Sequence, residues 1–553
     1  MNKIIVLFFL LYSSFANKLF GQIDNEEFDD GVQYIGHNQD QLHLNHTEKP
    51  LEVKHYSNKR KTSSEGLQEF TPIIDTIVQS EVKYYSFNVN TSTGLGEYYE
   101  FLIFLSGNIC TQPDNVDEDD TSLAVYYSFN STMFQNNEVG DMELFDDGYF
   151  QALADLPINP TPTTGTSIST AKPSATAIGS NDDDERVLYI AVRAPQNTNV
   201  TAAWTYQIGV SQNDLVFQWD NRTFGSIVDA DDKSALLITE NLTEYSGDWE
   251  SLNASHSKYS LYVYPYKEKD IFKGLSKSWC AIRSGHAMMG PWNIETSFTT
   301  RNGGIQQQFY VPDLDDSTQY TAYVVADFSG TDFGGAIYQQ IEFETMSGSA
   351  CELIYDLEFC NRVAYSVPAL GNRSFENEEE KNTTKEIYDR YVENLYQNFS
   401  KALQQVACDT VPESVFSNVR SCQDCADSYK DWLCAVSIPR CVATDFAGYK
   451  LRDNSSQRND FIVDVIQPAE DYYEVLPCVN VCHAIVRDCP ADFQFQCPTK
   501  QSSIALSYYW DEDTDTQWPS CNYVGQKFVT QNWGIRLAAN WALLGIVLLI
   551  QVV

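Results

Sequence analysis

Twelve of the fourteen cysteines in this 553-residue chain fall between Cys351 and Cys521. A stretch so dense in thiols folds in one of two ways: around metal ions where thiols stay reduced, or around disulfides where they are oxidised. The N-terminus points to the second. Lys3 is a short positive lead, Ile4 to Tyr12 is an unbroken apolar run, and Ser14-Phe15-Ala16 supplies small residues for cleavage after Ala16. That is the pattern of a secretory signal, too short to span a bilayer. All fourteen cysteines are therefore expected in disulfides: Cys110, Cys280, Cys351, Cys360, Cys408, Cys422, Cys425, Cys434, Cys441, Cys478, Cys482, Cys489, Cys497 and Cys521. Cys422 and Cys425, with Cys434 and Cys441 close behind, would suggest zinc in a cytosolic chain; in an oxidising lumen they read as bridges. Cys110 and Cys280 stand outside the dense stretch. They are expected to pair and bolt two β regions together, the alternative being that each pairs elsewhere. The remaining connectivity stays open.

Eleven Asn-x-Ser/Thr sequons agree with a secretory route: Asn45, Asn90, Asn130, Asn199, Asn221, Asn241, Asn253, Asn372, Asn382, Asn398 and Asn454. They are expected to carry glycans where accessible. Lys plus Arg number 36 against 76 Asp plus Glu, a net charge of −40. Such an acidic balance rules out most nucleic-acid binding, which needs a basic face for the phosphate backbone, and argues against docking onto anionic lipid heads, so no nucleic-acid partner is expected. It is not a solvating, disordered chain either, because 30 Phe, 33 Tyr and 10 Trp give ample apolar surface to bury.

The far end is apolar again. Trp541 to Val553 is a run of thirteen residues, or seventeen from Leu537 with Asn540 interrupting. A spanning helix needs about twenty. The run reads as a membrane attachment, by a glycolipid-anchor signal or by a single short span with Arg536 at its mouth.

Between these ends the periodicity changes twice. Residues 17–70 are polar and aperiodic and read as a disordered arm. From 71 to 347 the pattern is β: Tyr85, Phe87 and Val89 alternate with polar neighbours, as do Trp204, Tyr206, Ile208 and Val210. Phe101 to Leu105 and Val187 to Val192 are continuous apolar runs, as in strands buried on both faces. No helical period is visible there. This all-β part is divided at 213 into two sandwich-like domains, 71–213 and 214–347. Within the first, 157–180 is rich in Pro, Ser and Thr and reads as a long, O-glycosylated loop. In the second, Leu314, a turn and then Tyr320 opening an alternating strand match the corner of a sandwich. From 348 to 525 the period becomes helical. Ile387, Tyr391, Leu395, Phe399, Leu403 and Val406 share one face, with a capping box of Thr383 and Glu386 at the start. Cys478 and Cys482 stand four apart, as on one helical face. The architecture expected is a multidomain chain: an all-β, sandwich-like N-terminal region, then a disulfide-rich helical domain, then the tail at 526–553.

Candidate chemistry is sparse. Acidic clusters occur at Asp114 to Asp120, Asp182 to Glu185, Asp229 to Asp232, Asp313 to Asp316 and Asp511 to Asp515. Asp511, Asp513 and Asp515 lack the glycine and the closing glutamate of an EF-hand, Thr516 and Asn522 standing there. These clusters read as solvated loops, so no metal site and no cofactor is assigned. There is no G-x-S-x-G elbow, no H-E-x-x-H, no Walker loop and no dinucleotide glycine set. The chain is not expected to be an enzyme.

The cysteine-rich text carries a resemblance. Asp431 to Cys441 (DWLCAVSIPRC) and Pro477 to Pro490, with its P-C-x3-C-x6-C spacing, are similar to signatures of the frizzled-type cysteine-rich domain. Together with SGNIC at Ser106 to Cys110, YYSFN at Tyr126 to Asn130, NDLVFQWD at Asn213 to Asp220, Arg458-Asn459-Asp460, ADFQFQCP at Ala491 to Pro498 and CNYVG at Cys521 to Gly525, the chain resembles the fungal mating-induced-death family of stretch-activated calcium-channel components. The match runs from about 71 to 525, in order. The arm before 70 and the apolar tail after Leu537 depart from it. The resemblance implies a plasma-membrane glycoprotein with its mass outside the cell. It would be an auxiliary subunit of a large four-repeat, voltage-gated-type calcium pore that supports calcium entry during mating, stress or stretch. The animal counterpart implied is the cysteine-rich auxiliary subunit of the sodium leak channel. An alternative from another class is an anchored surface module that captures a lipid or glycan through the cysteine-rich domain.

Overall fold

The structure is a computed structural model that describes residues 65–90, 102–113, 123–130, 140–156, 187–195, 202–242, 252, 256–285, 287–300, 304–328, 334–371, 378–406, 417, 419–445, 449–500, 506–509 and 521–524. The signal-like segment, the arm to Ser64, the Pro/Ser/Thr-rich loop, the acidic clusters at 114–120, 182–185 and 511–515, and the apolar tail lie outside the described residues.

Nine strands build the first sandwich: β1 (Glu65–Leu67), β2 (Ile73–Val78), β3 (Val82–Asn88), β4 (Leu102–Thr111), β5 (Ala124–Ser128), β6 (Asp141–Leu144), β7 (Tyr149–Asp155), β8 (Val187–Arg193) and β9 (Ala203–Ser211). Sheet A has the order β1-β3-β8-β5-β6 and sheet B the order β2-β9-β4-β7. Apart from the parallel pairing of β1 with β3, neighbours run antiparallel. The alternating residues do what their spacing predicts: Trp204, Tyr206, Ile208 and Val210 point inward and meet Tyr85, Phe87, Leu188 and Ile190. Strand β1 corrects the sequence reading, which assigns Glu65 to Phe70 to the arm. Leu67 pairs with Phe87 and is buried, because the sandwich takes an extra edge strand too short to show a period.

Nine more strands build the second sandwich: β10 (Phe217–Asp220), β11 (Gly225–Ala230), β12 (Ala235–Thr239), β13 (Tyr259–Pro265), β14 (Glu295–Thr299), β15 (Gln306–Val311), β16 (Gln319–Asp327), β17 (Gly335–Tyr338) and β18 (Ile341–Glu344). Sheet C is β10-β17-β16-β13 with β18 also on β16, and sheet D is β11-β12-β15-β14. The expected corner is present: Leu314 and Tyr320 are buried, and the Asp315 amide donates to Tyr320 Oη at 2.8 Å. One helix, α1 (Trp279–Ser284), and a 3₁₀ segment, Tyr266–Phe272, stand where the sequence shows no helical period. Six residues are too few to display one.

The cysteine-rich part opens with the hairpin β19 (Cys351–Ile354) and β20 (Tyr365–Pro368). Helix α2 (Glu378–Leu403), helix α3 (Cys422–Ser437), strands β21 (Arg440–Val442), β22 (Lys450–Arg452) and β23 (Tyr472–Val475), and helix α4 (Val479–Asp488) follow. Two details of α2 correct the sequence reading. It starts five residues before Thr383, so Thr383 and Glu386 do not cap it. Its buried line is Thr384, Tyr388, Val392 and Phe399, while Leu395 is 39% exposed. The apolar arc is wide, and the partners decide which stripe goes deepest. Phe461 takes Tyr391 face to face at 3.9 Å and holds it at the flank, while Tyr429 takes Phe399 at 3.6 Å within the buried line. Cys478 stands at the N-cap of α4 and not within it, and Cys482 lies one turn on.

Removing the Tyr320 hydroxyl should leave the fold intact and cost the corner one net hydrogen bond. Tyr320→Phe is expected to lower unfolding free energy by about 1 kcal/mol, read by denaturant titration of the purified protein. An unchanged midpoint would show that the corner contributes nothing.

Candidate functional site: the joints between layers

No group of His, Cys, Asp and Glu among the described residues is arranged to hold a metal. The specialised chemistry lies at two joints, where a sheet already packed on one face is covered on the other.

The first joint covers sheet B. From Ser106 on, the residues on β4 that point away from sheet A are polar or small and buried: Ser106, Asn108 and Cys110. Each is met by the second sandwich. Ser106 Oγ accepts from the Phe217 amide at 2.9 Å, and Asn108 Oδ1 accepts from the Trp279 amide at 3.1 Å. The register between β4 and β9 slips between Ile109 and Thr111, a bulge that re-aims Cys110, and Cys110 is bridged to Cys280. Ser278 caps α1 by accepting from the Ala281 amide and donates its hydroxyl to the Ile109 carbonyl at 2.7 Å. Helix α1 therefore starts on β4. Gly209 is required here, since a Cβ would stand 2.6 Å from Val216 Cβ. Trp279 fills the space between the sandwiches: it packs on Phe217, Arg283 lies 4.2 Å over its ring, and its indole donates to the Ala326 carbonyl. The apolar core is continuous across this joint, from Trp204 and Tyr206 through Phe217 and Trp279 to Tyr264 and Val325.

The second joint covers sheet D with the β19–β20 hairpin. A bulge between Ile227 and Asp229 lets Val228 and Asp229 face outward together. Val228, Leu236, Ile238 and Tyr310 meet Leu353 and Ala364 in a small apolar cluster. Around it the contacts are polar. Asp229 Oδ2 accepts from the Ser366 amide and pairs with Arg440, both at 3.1 Å, with Asp229 and Arg440 side chains 5% and 6% exposed. Asp231 Oδ2 accepts from the Leu353 amide at 2.9 Å. Burial pushes the Asp229 carboxyl above its ordinary range, opposed by Arg440 and by the Ser366 and Ala230 amides. The Asp229 to Asp232 cluster, expected as a solvated loop, is thus a buried fastening. Asp313, Asp315 and Asp316 are exposed, as a solvated loop requires.

Within the cysteine-rich part, buried carboxylates tie elements that the chain separates. Glu474, fully buried, takes Arg452 and Arg458, and Arg458 also donates to the Val436 carbonyl. Asp389 on α2 accepts from the amides of Phe359 and Cys360. Asp488 takes Arg420 and Arg487, whose hydrogen bond is the main force holding its carboxyl below the usual range. Disulfides join Cys351 to Cys441, Cys360 to Cys434, Cys425 to Cys489, Cys478 to Cys521 and Cys482 to Cys497. Cys422 is also disulfide-bonded, and Cys408 lies outside the described residues. The zinc-like pair Cys422 and Cys425 is therefore spent on bridges. Asn90, Asn130, Asn221, Asn241, Asn398 and Asn454 are all exposed, while Asn45, Asn199, Asn253, Asn372 and Asn382 have no described side chain. Asp389, Arg440 and Glu474 escaped the sequence reading as fastenings, and that reading sets Asp229 in a solvated cluster when it is buried. The position of Arg440 beside Cys441 is the one signal that could have marked any of them.

A sequence family described as a stretch-activated Ca2+-permeable channel component, Mid1, matches residues 102–527. The stretch-activated cation channel MID1 of Saccharomyces cerevisiae is 36% identical over 507 residues, covering 84% of this chain and 87% of its own. The stretch-activated cation channel yam8 of Schizosaccharomyces pombe is 35% identical over 328 residues, 58% of this chain and 65% of its own. A Cryptococcus neoformans MID1 is 28% identical over 302 residues, covering 47% and 46%.

Two outcomes follow from the buried charges. Arg440→Met leaves the Asp229 carboxylate buried without its cation and should destabilise by about 3–5 kcal/mol, measured by chemical denaturation; a loss below 1 kcal/mol would show the pair idle. Burial also pushes the Asp431 carboxyl from 3.8 up to about 6, with Arg362 pulling the other way. The folded chain then holds a proton that the unfolded chain has released, so stability should fall as pH rises from about 4 to about 6. Asp431→Asn should flatten that part of the stability–pH curve, and an unaltered slope would refute the assignment.

Proposed function

We propose that this chain, which belongs to the family of stretch-activated Ca2+-permeable channel components, works outside the cell as the auxiliary subunit of a plasma-membrane calcium influx channel. The observation that carries this reading is the layered body itself. Its cysteine-rich end is closed by bridges that persist only where thiols are oxidised, and every described sequon side chain faces solvent. Both features fit passage through the secretory pathway and an extracellular position. The described strands form open sheets stacked as layers, not a closed barrel, and no helix among the described residues is long and apolar enough to cross a membrane.

On this reading the conducting path is supplied by a partner, a large four-repeat pore polypeptide of the voltage-gated type, and calcium is the transported ion. The chain supports calcium entry in mating and under stress without catalysing a reaction. A net charge of −40 suits a body held over a cation pore, where it raises local cation concentration within about a Debye length, 10 Å at 0.1 M salt.

Affinity purification of the full tagged chain from membranes should bring down one large multi-span channel polypeptide. Deleting the chain should remove stretch-evoked calcium uptake while leaving that polypeptide in place. Recovery of the chain without any channel polypeptide, with uptake unchanged by deletion, would overturn the proposal and favour a free-standing surface module.

A further inference from the structure

We infer that the second joint is a hinge, the place where the layered body gives under load, while the first joint stays closed. The inference concerns how the function proposed above would be regulated, and rests on that reading only for what the hinge serves.

The two joints differ in what crosses them. The first is crossed by a disulfide and by one continuous apolar core that includes Phe217, Trp279 and Tyr264. No disulfide crosses the second. Cys110 and Cys280 bond to each other, and every other cysteine lies at or after Cys351. What crosses the second joint is a small apolar cluster, the buried Asp229–Arg440 pair, buried hydrogen bonds from the Leu353 amide to Asp231, from the Ser366 amide to Asp229 and from the Ser366 hydroxyl to the Ala230 carbonyl, and peripheral polar contacts. Tyr355 donates to Glu295 at 3.2 Å, and Gln308 donates to Asp356 at 3.2 Å.

Those contacts favour reversible opening. Parting two apolar faces costs free energy in proportion to area, and this cluster is small. Parting a buried ion pair exchanges its attraction for hydration of both charges, which had been lost on burial. The open state is thus less penalised at the second joint than at the first, where the ion pairs of Lys277 with Asp146 and Asp147 sit on exposed carboxylates at the rim and the buried contacts are apolar surface, neutral hydrogen bonds and a covalent bond.

The connecting chain has the form of a hinge. On the sandwich side Met346 is anchored by its amide to the Asp231 carbonyl and by its carbonyl to the Ser317 amide. On the hairpin side the Ala350 carbonyl accepts from the Ala369 amide. Between them lie Ser347, Gly348 and Ser349. Gly348 has φ +75°, and a Cβ there would meet nothing nearer than Glu470 Oε2 at 3.6 Å. Glycine is used here for its backbone freedom and not for close packing. Beyond the hinge, the hairpin is bolted to the cysteine-rich body by Cys351–Cys441 and Cys360–Cys434, so that body would move as one piece.

Amide hydrogen exchange on the full chain, purified from membranes with its disulfides intact, tests this. Leu353 and Ser366, whose amides donate to Asp231 and Asp229, report the second joint. Phe217 and Trp279 report the first. Helix α3 reports whether the cysteine-rich body is folded. The hinge requires peptides holding Leu353 and Ser366 to exchange at least ten times faster than those holding Phe217 and Trp279, with α3 still protected. Arg440→Gln should speed exchange at Leu353 and Ser366 at least tenfold more and leave Trp279 unchanged. Equal protection of the two joints, or α3 exchanging as fast as Leu353, would overturn the hinge. If the variant does not fold, the comparison within the unaltered chain decides. The readout is taken on the isolated chain, so its failure is distinct from failure of the channel reading.

Discussion

The described fold depends on the docking of one short helix. Helix α1 brings Ser278, Trp279 and Cys280 onto the outer side of β4, where Asn108, Ile109 and Cys110 receive them. Without that docking, sheet B would expose a face lined by Ser106, Asn108 and Gly209, and the second sandwich would hang on a linker. With it, sheet B is packed on both faces, and the cores of the two sandwiches run together. Sheet D repeats the arrangement, packed inside by its own sandwich and outside by the β19–β20 hairpin. Such doubly covered sheets explain the near-continuous burial of β4, β12 and β15.

The same arrangement is made with different chemistry at the two places. The first joint combines a continuous apolar core with neutral buried hydrogen bonds and is covalently closed. The second mixes a modest apolar contact with a buried ion pair and side chains that accept from backbone amides. A buried pair is a poor source of net stability but a strong source of registration, because a misplaced carboxylate would lie uncompensated in the interior. Asp229 therefore fixes where the hairpin sits without holding it as firmly as Trp279 holds the sandwiches together.

How much of this was legible in the residues follows from range. Local periods were readable: the alternation of Trp204 to Val210, the run in β4 and the Leu314–Tyr320 corner all stand where their spacing puts them. The family was readable from the cysteine-bearing segments, because disulfide spacing is a long-range constraint written in short motifs. The fastening of the second joint was not. Asp229 and Arg440 are 211 residues apart, and an acidic run looks the same in sequence whether water or an arginine neutralises it. Helix α1 and β1 were missed because six and three residues carry no measurable period. The face of α2 was misjudged by one position, because its arc of aromatics is wide enough for Phe461 and Tyr429 to choose among them.

Scanning calorimetry of the full chain purified from membranes bears most directly on the claim that the two sandwiches are one structural unit. With disulfides intact, strands from both sandwiches should melt in a single transition. With Cys110 and Cys280 both changed to Ser, that transition should move to lower temperature but remain single, because the shared core around Trp279 still couples them. Two separate sandwich transitions, in either protein, would contradict the account.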